Sequence, residues 1–179
     1  MPSDVALPPI WLLGSSGYSA ELAAAVGMGF AFAHHFADHD AVSAMLSYRT
    51  HFKPSDALPQ PRAILAVAAI AADSDTEAER IAASADLHFV RRARGEFAPL
   101  ASPEEAAAYP YAPVDRQRIA RQRERVVVGN IDRVKTRLLA LAEATRADEL
   151  MITTMVYDHA ARRHSYELLA EAFDLPSAA

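Results

Sequence analysis

The residues of this chain best suited to chemistry form two short groups, Gly14-Ser15-Ser16-Gly17 and His34-His35. Each closes an apolar run, Ile10-Trp11-Leu12-Leu13 in the first case and Phe30-Ala31-Phe32-Ala33 in the second. A Gly-Ser-Ser-Gly turn that opens a helix gathers free backbone N–H groups, two hydroxyls and the positive end of the helix dipole. Its glycines let a ligand come close to the backbone. That chemistry suits a phosphate. Gly and Ser are also the ordinary residues of a strand-to-helix turn. The spacing is neither a Walker A sequence nor a GxGxxG fingerprint.

The two histidines follow the second run, at the strand edge where parallel α/β proteins hold their sites. His39 and Asp38 stand nearby, but no HxxxH or HExxH spacing occurs, so a metal is not expected. His34 and His35 read as lining a cofactor pocket, as satisfied by local hydrogen bonds, or as a catalytic acid–base. The five arginines of Arg116–Arg125 are either an anion surface or a solvated helix face. Tyr157, Asp158 and His159 follow a later apolar run, where turn chemistry accounts for them equally well. Arg162, Arg163 and His164 begin a helix, where positive charge opposes the dipole; a partner anion or an ion pair with Asp158 would relieve that conflict. No Ser-His-acid set and no paired carboxylates stand out. The absence of cysteine excludes disulfides, thiolate metal sites and cysteine nucleophiles.

These groups need elements to hold them. Ile10–Leu13, after Pro8-Pro9, reads as a buried parallel strand. Ser19–Val26 reads as a helix with Leu22, Ala23 and Val26 on its inner face, broken by Gly27 and Gly29. Phe30–Ala33 is the second strand. Asp38 or Asp40 caps a helix whose apolar positions are Val42, Met45, Leu46 and Phe52. Ala63–Ala72 is the third strand, followed by a capping box, Ser74-Asp75-Thr76-Glu77, and a helix from about Thr76 toward Arg94. Residues of about 95–125 carry four prolines and a second box, Ser102-Pro103-Glu104-Glu105, and read as an irregular helical insertion. Val126-Val127-Val128-Gly129 leads to Asn130, an N-cap, with Asp132 in the first turn and Val134, Leu138, Leu141 and Ala142 as a stripe. Glu149–Met155 is the fourth strand. A last helix runs from about Ala160 to Phe173, with Tyr166, Leu169, Ala170 and Phe173 inward.

Four strand–helix pairs within one 179-residue domain predict an α/β fold with a parallel sheet and right-handed crossovers. Two solutions fit: an open doubly wound sheet, or four strands of a (β/α)8 barrel. A whole barrel takes about 250 residues and eight strands. The net charge of −5, with both signs mixed, argues against a nucleic-acid surface. The longest apolar run, Ala63–Ala72, falls well short of the roughly 20 residues of a membrane span. Met1–Leu7 carries Asp4 and no basic region, so it does not read as a signal peptide. A soluble, cytoplasmic protein is expected.

The run Pro9–Ala20 (PIWLLGSSGYSA) resembles a segment of the bacterial-luciferase-like, flavin-dependent monooxygenase family. So do Phe30–Phe36 (FAFAHHF), Tyr48-Arg49, Phe52–Ser55, Val128-Gly129, Ala147–Met151 (ADELM) and Arg163–Ala170 (RHSYELLA), in order along the chain. The resemblance implies the C-terminal half of a (β/α)8 TIM barrel, starting at about the fifth strand, with four parallel strands alternating with helices. It implies reduced FMN, supplied by a separate reductase, together with molecular oxygen and a small organic substrate; the deazaflavin F420 is the less expected cofactor. Gly14, Ser15, Ser16, Gly17 and Tyr18 fall where the family holds the flavin phosphate, and His34 and His35 fall near the flavin and substrate cavity. The 95–125 insertion falls in the family's variable region. The glutamate-histidine-histidine stretch of the family's first half has no counterpart here. A homo-oligomer, or pairing with a complementing N-terminal half-barrel chain, is therefore expected to complete the site. The alternatives are a non-catalytic half-barrel module and an inactive truncated remnant.

Overall fold

A computed structural model describes residues 8–176. The opening segment 1–7, read above for the charge of a secretion signal, lies outside the described residues. These fall into two compact units: 8–66 with Ala142–Met151, and Val67–Leu141 with 152–176.

The first unit holds β1 (Trp11–Gly14), α1 (Gly17–Val26), β2 (Gly29–Ala33), a 3-10 turn over His34–Phe36 and α2 (Ala41–His51). It also takes in the start of β3 (Ala63–Ala72) and of β5 (Glu149–Thr153). The strands are parallel, with Trp11 opposite Gly29, Gly14 opposite Phe32, Phe30 opposite Ala63 and Ala33 opposite Ala66. On one face Phe30 and Phe32 are fully buried, and Phe30 meets Tyr48 of α2 with ring centroids 5.3 Å apart. Burying each such ring contributes about 1.5–3 kcal/mol. The Tyr48 hydroxyl donates to the Met28 carbonyl at 2.8 Å and accepts the Arg62 N–H at 3.2 Å, so this core phenol is satisfied.

α1 differs from the expected face. Its buried residues are Ser19, Ala20, Ala23 and Ala24, while Leu22 and Val26 are exposed. The alanine face lets the helix lie close to its neighbours. Gly27 ends it in the left-handed region (φ 68°), where a β-carbon would also meet the Lys53 carbonyl at 2.6 Å. Of the two aspartates offered as caps for α2, Asp40 is the one used, accepting the Ser43 N–H at 2.6 Å.

The second unit holds the end of β3, α3 (Asp75–Ala93), α4 (Pro103–Ala108), α5 (Pro113–Arg123), β4 (Val126–Asn130), most of α6 (Ile131–Thr145) and α7 (His159–Ala172). β4 is a strand beyond the four read from the sequence. The valine run read as a lead-in to a helix pairs in parallel with β3, Ala68 opposite Val126 and Ala72 opposite Asn130. Three β-branched residues were a strand signal too short to stand alone. Asn130 still caps α6, accepting the Arg133 N–H at 3.0 Å. Ile70, Ile81, Val128 and Val156 form the core here. β5 stops at Thr153 rather than Met155. Beyond it, the Thr154 hydroxyl donates to the Ala69 carbonyl at 2.7 Å, and Ser165 of α7 accepts the Ala71 N–H at 2.9 Å. Side chains thus satisfy buried backbone groups of β3. In α7 Ser165 and Leu169 are buried, whereas Tyr166, Ala170 and Phe173 are only partly so.

The 95–125 insertion is two short helices. Ser102 and Glu105 form the full capping box, with bonds of 3.1 and 2.9 Å. At Ser74 the box is one-sided: Ser74 accepts the Glu77 N–H at 3.2 Å, but the Glu77 carboxylate is drawn to Arg80 at 2.8 Å. Asp115 is fully buried at the start of α5, accepting the Ala112 N–H at 2.9 Å and held by Arg94. No helix among the described residues is long and apolar enough to cross a membrane.

Candidate functional site

The site is built on the turn that leaves β1. Gly14 is the last residue of the strand, and α1 begins at Gly17 with Ser16 as its N-cap in extended conformation. Gly14 is required by close approach: a β-carbon there would lie 2.0 Å from Ser19 Oγ. Ser19 holds the turn from beneath, its hydroxyl donating to the Ser16 carbonyl at 2.9 Å and accepting the Ser16 N–H at 3.4 Å. Ser16 and Tyr18 are exposed, and the first turn of α1 carries no acidic residue. The positive end of this helix is therefore unopposed by a neighbouring carboxylate on its own first turn.

The second half of the site leaves β2. His34–Phe36 form the 3-10 turn, and His35 Nδ1 lies 3.2 Å from the carbonyl of Ala66, the β3 residue level with Ala33. A carbonyl only accepts, so Nδ1 carries the proton, and in the neutral ring Nε2 bears the lone pair. The bond sets the ring's orientation, and Phe36 packs edge-on against it at 4.7 Å. Farther along the same loop, His39 returns to the first turn: a β-carbon on Gly17 would lie 3.3 Å from His39 Nε2. The structure thus brings the loops after β1 and β2 together through Gly17 and His39. The sequence weighed His39 only as a metal ligand. Its contact with Gly17, 22 positions away, has no local signal.

The other candidates lie in the second unit, where Asp158, Arg162, Arg163, His164, Arg116 and Arg123 have partners and Tyr157 is exposed. Asp158 is the N-cap of α7, accepting the Ala161 N–H at 2.7 Å, and among the described residues the ion pair offered as one relief of the helix's basic start is not formed. Instead Arg163 pairs with Glu167 at 3.2 Å, His164 Nε2 meets Asp73 at 3.0 Å, and Arg162 lies over the Tyr166 ring. In the arginine run, Arg123 holds Asp86 through two bonds of 2.8 Å and reaches Glu79 at 3.2 Å, while Arg116 lies over Tyr111. Burial raises the Asp86 carboxyl above its ordinary range, against the pull of Arg123.

A parallel sheet whose strands alternate with helices, with the Gly-Ser-Ser-Gly turn and the histidine loop at adjacent strand ends, defines an α/β protein of the half-barrel class. Within it the chain belongs to the luciferase-like monooxygenase family, whose model matches residues 1–149. It is 40% identical over 160 residues to a luciferase-like monooxygenase of Escherichia coli K12, a match covering 89% of this chain and 48% of that protein. Its structure resembles the crystal structure of apo-MsnO8, with a TM-score of 0.88 and 37% identity over 98% of this chain and 54% of that one. It also resembles the oxygenating constituent of 3,6-diketocamphane monooxygenase of Pseudomonas putida, solved in complex with FMN. There the TM-score is 0.56 at 20% identity, over 92% of this chain and 48% of that one, a likeness of fold. The chain thus spans about half the length of the relatives it matches, and its strand–helix order is that of half a (β/α)8 barrel.

Proposed function

We propose that this chain supplies the phosphate-binding part of a flavin-dependent monooxygenase site, with FMN as cofactor and a small organic molecule as substrate. The observation that carries this reading is the turn Gly14–Gly17, in a chain of the luciferase-like family. Gly14 lets Ser19 pack beneath the turn, Ser15 and Ser16 offer hydroxyls, and the helix it opens has no carboxylate in its first turn. This donor set fits a phosphate monoester. The exposed Tyr18 ring stands beside the turn, and His39 adds an imidazole at Gly17.

His34 and His35 are the candidates for the substrate side. The bond from Nδ1 to the Ala66 carbonyl fixes the orientation of the His35 ring at the end of β2, as a histidine serving that side of the site requires. Bound reduced flavin supplies the electrons with which dioxygen is divided between an organic product and water. The residues of this chain bind the phosphate and fix a ring nitrogen. A second half-barrel, or a second copy of the chain, supplies the rest of the site.

The test is an FMN titration of the wild-type chain and of Ser15→Ala with Ser16→Ala, with mass measured by light scattering in the same buffer. Saturable binding weakened about tenfold or more by the double substitution supports the reading. Equal affinity in the two proteins removes the phosphate assignment. F420 titrated in parallel is expected to bind more weakly. The half-length match also favours a second reading, a binding or assembly module without turnover. A monodisperse oligomer that leaves reduced FMN unconsumed would decide for it.

A further inference from the structure

Gly17 is the first residue of α1, and its backbone does not lie in the left-handed region that favours glycine. What calls for the missing side chain is space. A β-carbon at this position would lie 3.3 Å from Nε2, 3.6 Å from Cε1 and 4.0 Å from Cδ2 of His39, the nearest atoms outside its own turn. The imidazole, brought round by the loop after β2, therefore presents its Nε2 edge to the place that a first-turn side chain would fill. The residue is exposed, so this edge is open to a ligand from solvent.

The groups around that edge suit an acceptor-rich anion. Gly17, Tyr18 and Ser19 open α1, and the first N–H groups of a helix have no partner one turn earlier. The charged and titratable groups of the two elements are Glu21, one turn along α1 from Gly17, the Tyr18 phenol, and Asp38, Asp40, His34 and His35 in the loop. Asp40 is committed to the Ser43 N–H at 2.6 Å, and His35 Nδ1 to the Ala66 carbonyl. None of the carboxylates belongs to the first turn of α1. Histidine changes charge between about pH 5 and 8, and a hydrogen bond from a charged donor is roughly twice as strong as a neutral one.

We infer that His39 is a contact of the bound phosphate, donating from Nε2 to an oxygen held at the start of α1, and that it makes phosphate binding depend on pH. The imidazolium brings both a donor and a charge to the phosphate; the neutral ring brings no charge. A bound phosphate holds the proton on the ring, so affinity declines as pH rises through the histidine range. Riboflavin lacks the phosphate and offers this imidazole nothing, so His39 also separates FMN from riboflavin. That the phosphate is the one on FMN rests on the flavin reading above. The place of the imidazole rests on Gly17 and His39 alone.

The experiment titrates the 179-residue chain, wild type and His39→Gln, with FMN, riboflavin and inorganic phosphate at about pH 6.5 and about pH 8.5. Across that window histidine loses its charge while a phosphate monoester stays largely a dianion. The wild type is expected to bind FMN about fivefold or more tightly at the lower pH, and riboflavin equally at both. His39→Gln is expected to bind FMN about fivefold or more weakly at the lower pH and to lose the pH dependence, with unchanged far-ultraviolet circular dichroism. Gly17→Ala, which crowds the ring, should act in the same direction. In proton NMR, inorganic phosphate is expected to shift the His39 ring resonance, identified as the one missing from His39→Gln. An unmoved resonance overturns the inference whatever FMN does. So does a pH dependence of FMN binding that survives His39→Gln, or a weakening of riboflavin as large as that of FMN. A His39 resonance that moves with phosphate in a chain that binds no FMN sinks the flavin reading and leaves the contact standing. FMN affinity lowered by Ser15→Ala with Ser16→Ala but indifferent to His39→Gln does the reverse.

Discussion

The carboxylate of Asp148 lies 2.6 Å from Nη2 of Arg49, 99 positions earlier in the chain. The same oxygen accepts the Ala63 N–H at 2.7 Å, while the Asp148 N–H donates to the Ala63 carbonyl at 2.9 Å. One side chain therefore ties the last turns of α2 to the start of β3, just before β5 begins. Asp148→Ala is expected to lower stability by about 1–2 kcal/mol, since the aspartate is partly exposed and water replaces some of the loss. Urea unfolding measures this. Arg49→Ala in the Asp148→Ala background should cost less than it does alone, and strict additivity would show that the two residues act separately.

Both partners of that bond stand in segments that resemble the family, Tyr48-Arg49 and Ala147–Met151, yet nothing in the sequence pairs them. Local chemistry was legible: the Gly14–Gly17 turn, the caps at Asp40 and Ser102, and the apolar runs of β1, β2 and β3 all stand where composition put them. What depends on packing was not. Ala20 and Ala24 rather than Leu22 and Val26 face inward on α1, because the structure uses the helix's smallest surface for its closest approach. β4 escaped because its strand character comes from pairing with the far half of β3. His39 was legible as a histidine but not as the neighbour of Gly17, a relation made by two loops.

Gly14 gives the turn a sharp test. An alanine there would place its β-carbon 2.0 Å from Ser19 Oγ and 2.3 Å from Ser19 Cβ, but 3.8 Å from its Cα. Gly14→Ala is therefore expected to destabilise the chain by about 1–3 kcal/mol through overpacking and to weaken FMN binding with it. Ser19→Gly, added to it, removes the obstructing atoms and should recover part of the stability. Thermal unfolding of the wild type and the two variants measures the effect. No recovery in the double variant would place the strain elsewhere in the turn.

Asp115 is the buried carboxylate that shapes the insertion. It is fully enclosed, accepts the Ala112 N–H and is held by Arg94, and its second oxygen is 3.9 Å from Arg118. Asp115→Ala is expected to cost about 2–3 kcal/mol, because it orphans a helix N-terminal donor and removes the carboxylate that Arg94 meets. The loss should be local. Hydrogen exchange ought to quicken over α4 and α5 while β1 and β2 keep their protection. Uniform loss across both units would mean that the insertion is part of one cooperative core.

The buried phenol of Tyr48 makes stability depend on alkaline pH. Burial raises its pKa above the ordinary value of 10.0, against smaller opposing effects of the Arg62 backbone and the Arg49 charge. A folded pKa above the unfolded one means that the unfolded chain releases this proton first as pH rises. The contribution of Tyr48 is thus fully present below the ordinary tyrosine value and declines as pH climbs through the folded one. Tyr48→Phe orphans the Met28 carbonyl and the Arg62 N–H, and should cost about 1–3 kcal/mol at neutral pH. The gap between wild type and Tyr48→Phe should then narrow above roughly pH 10. Urea unfolding across that range, with phenolate absorbance followed in parallel, tests it. A gap that stays constant with pH would mean that the Tyr48 proton is released equally easily from the folded and unfolded chain.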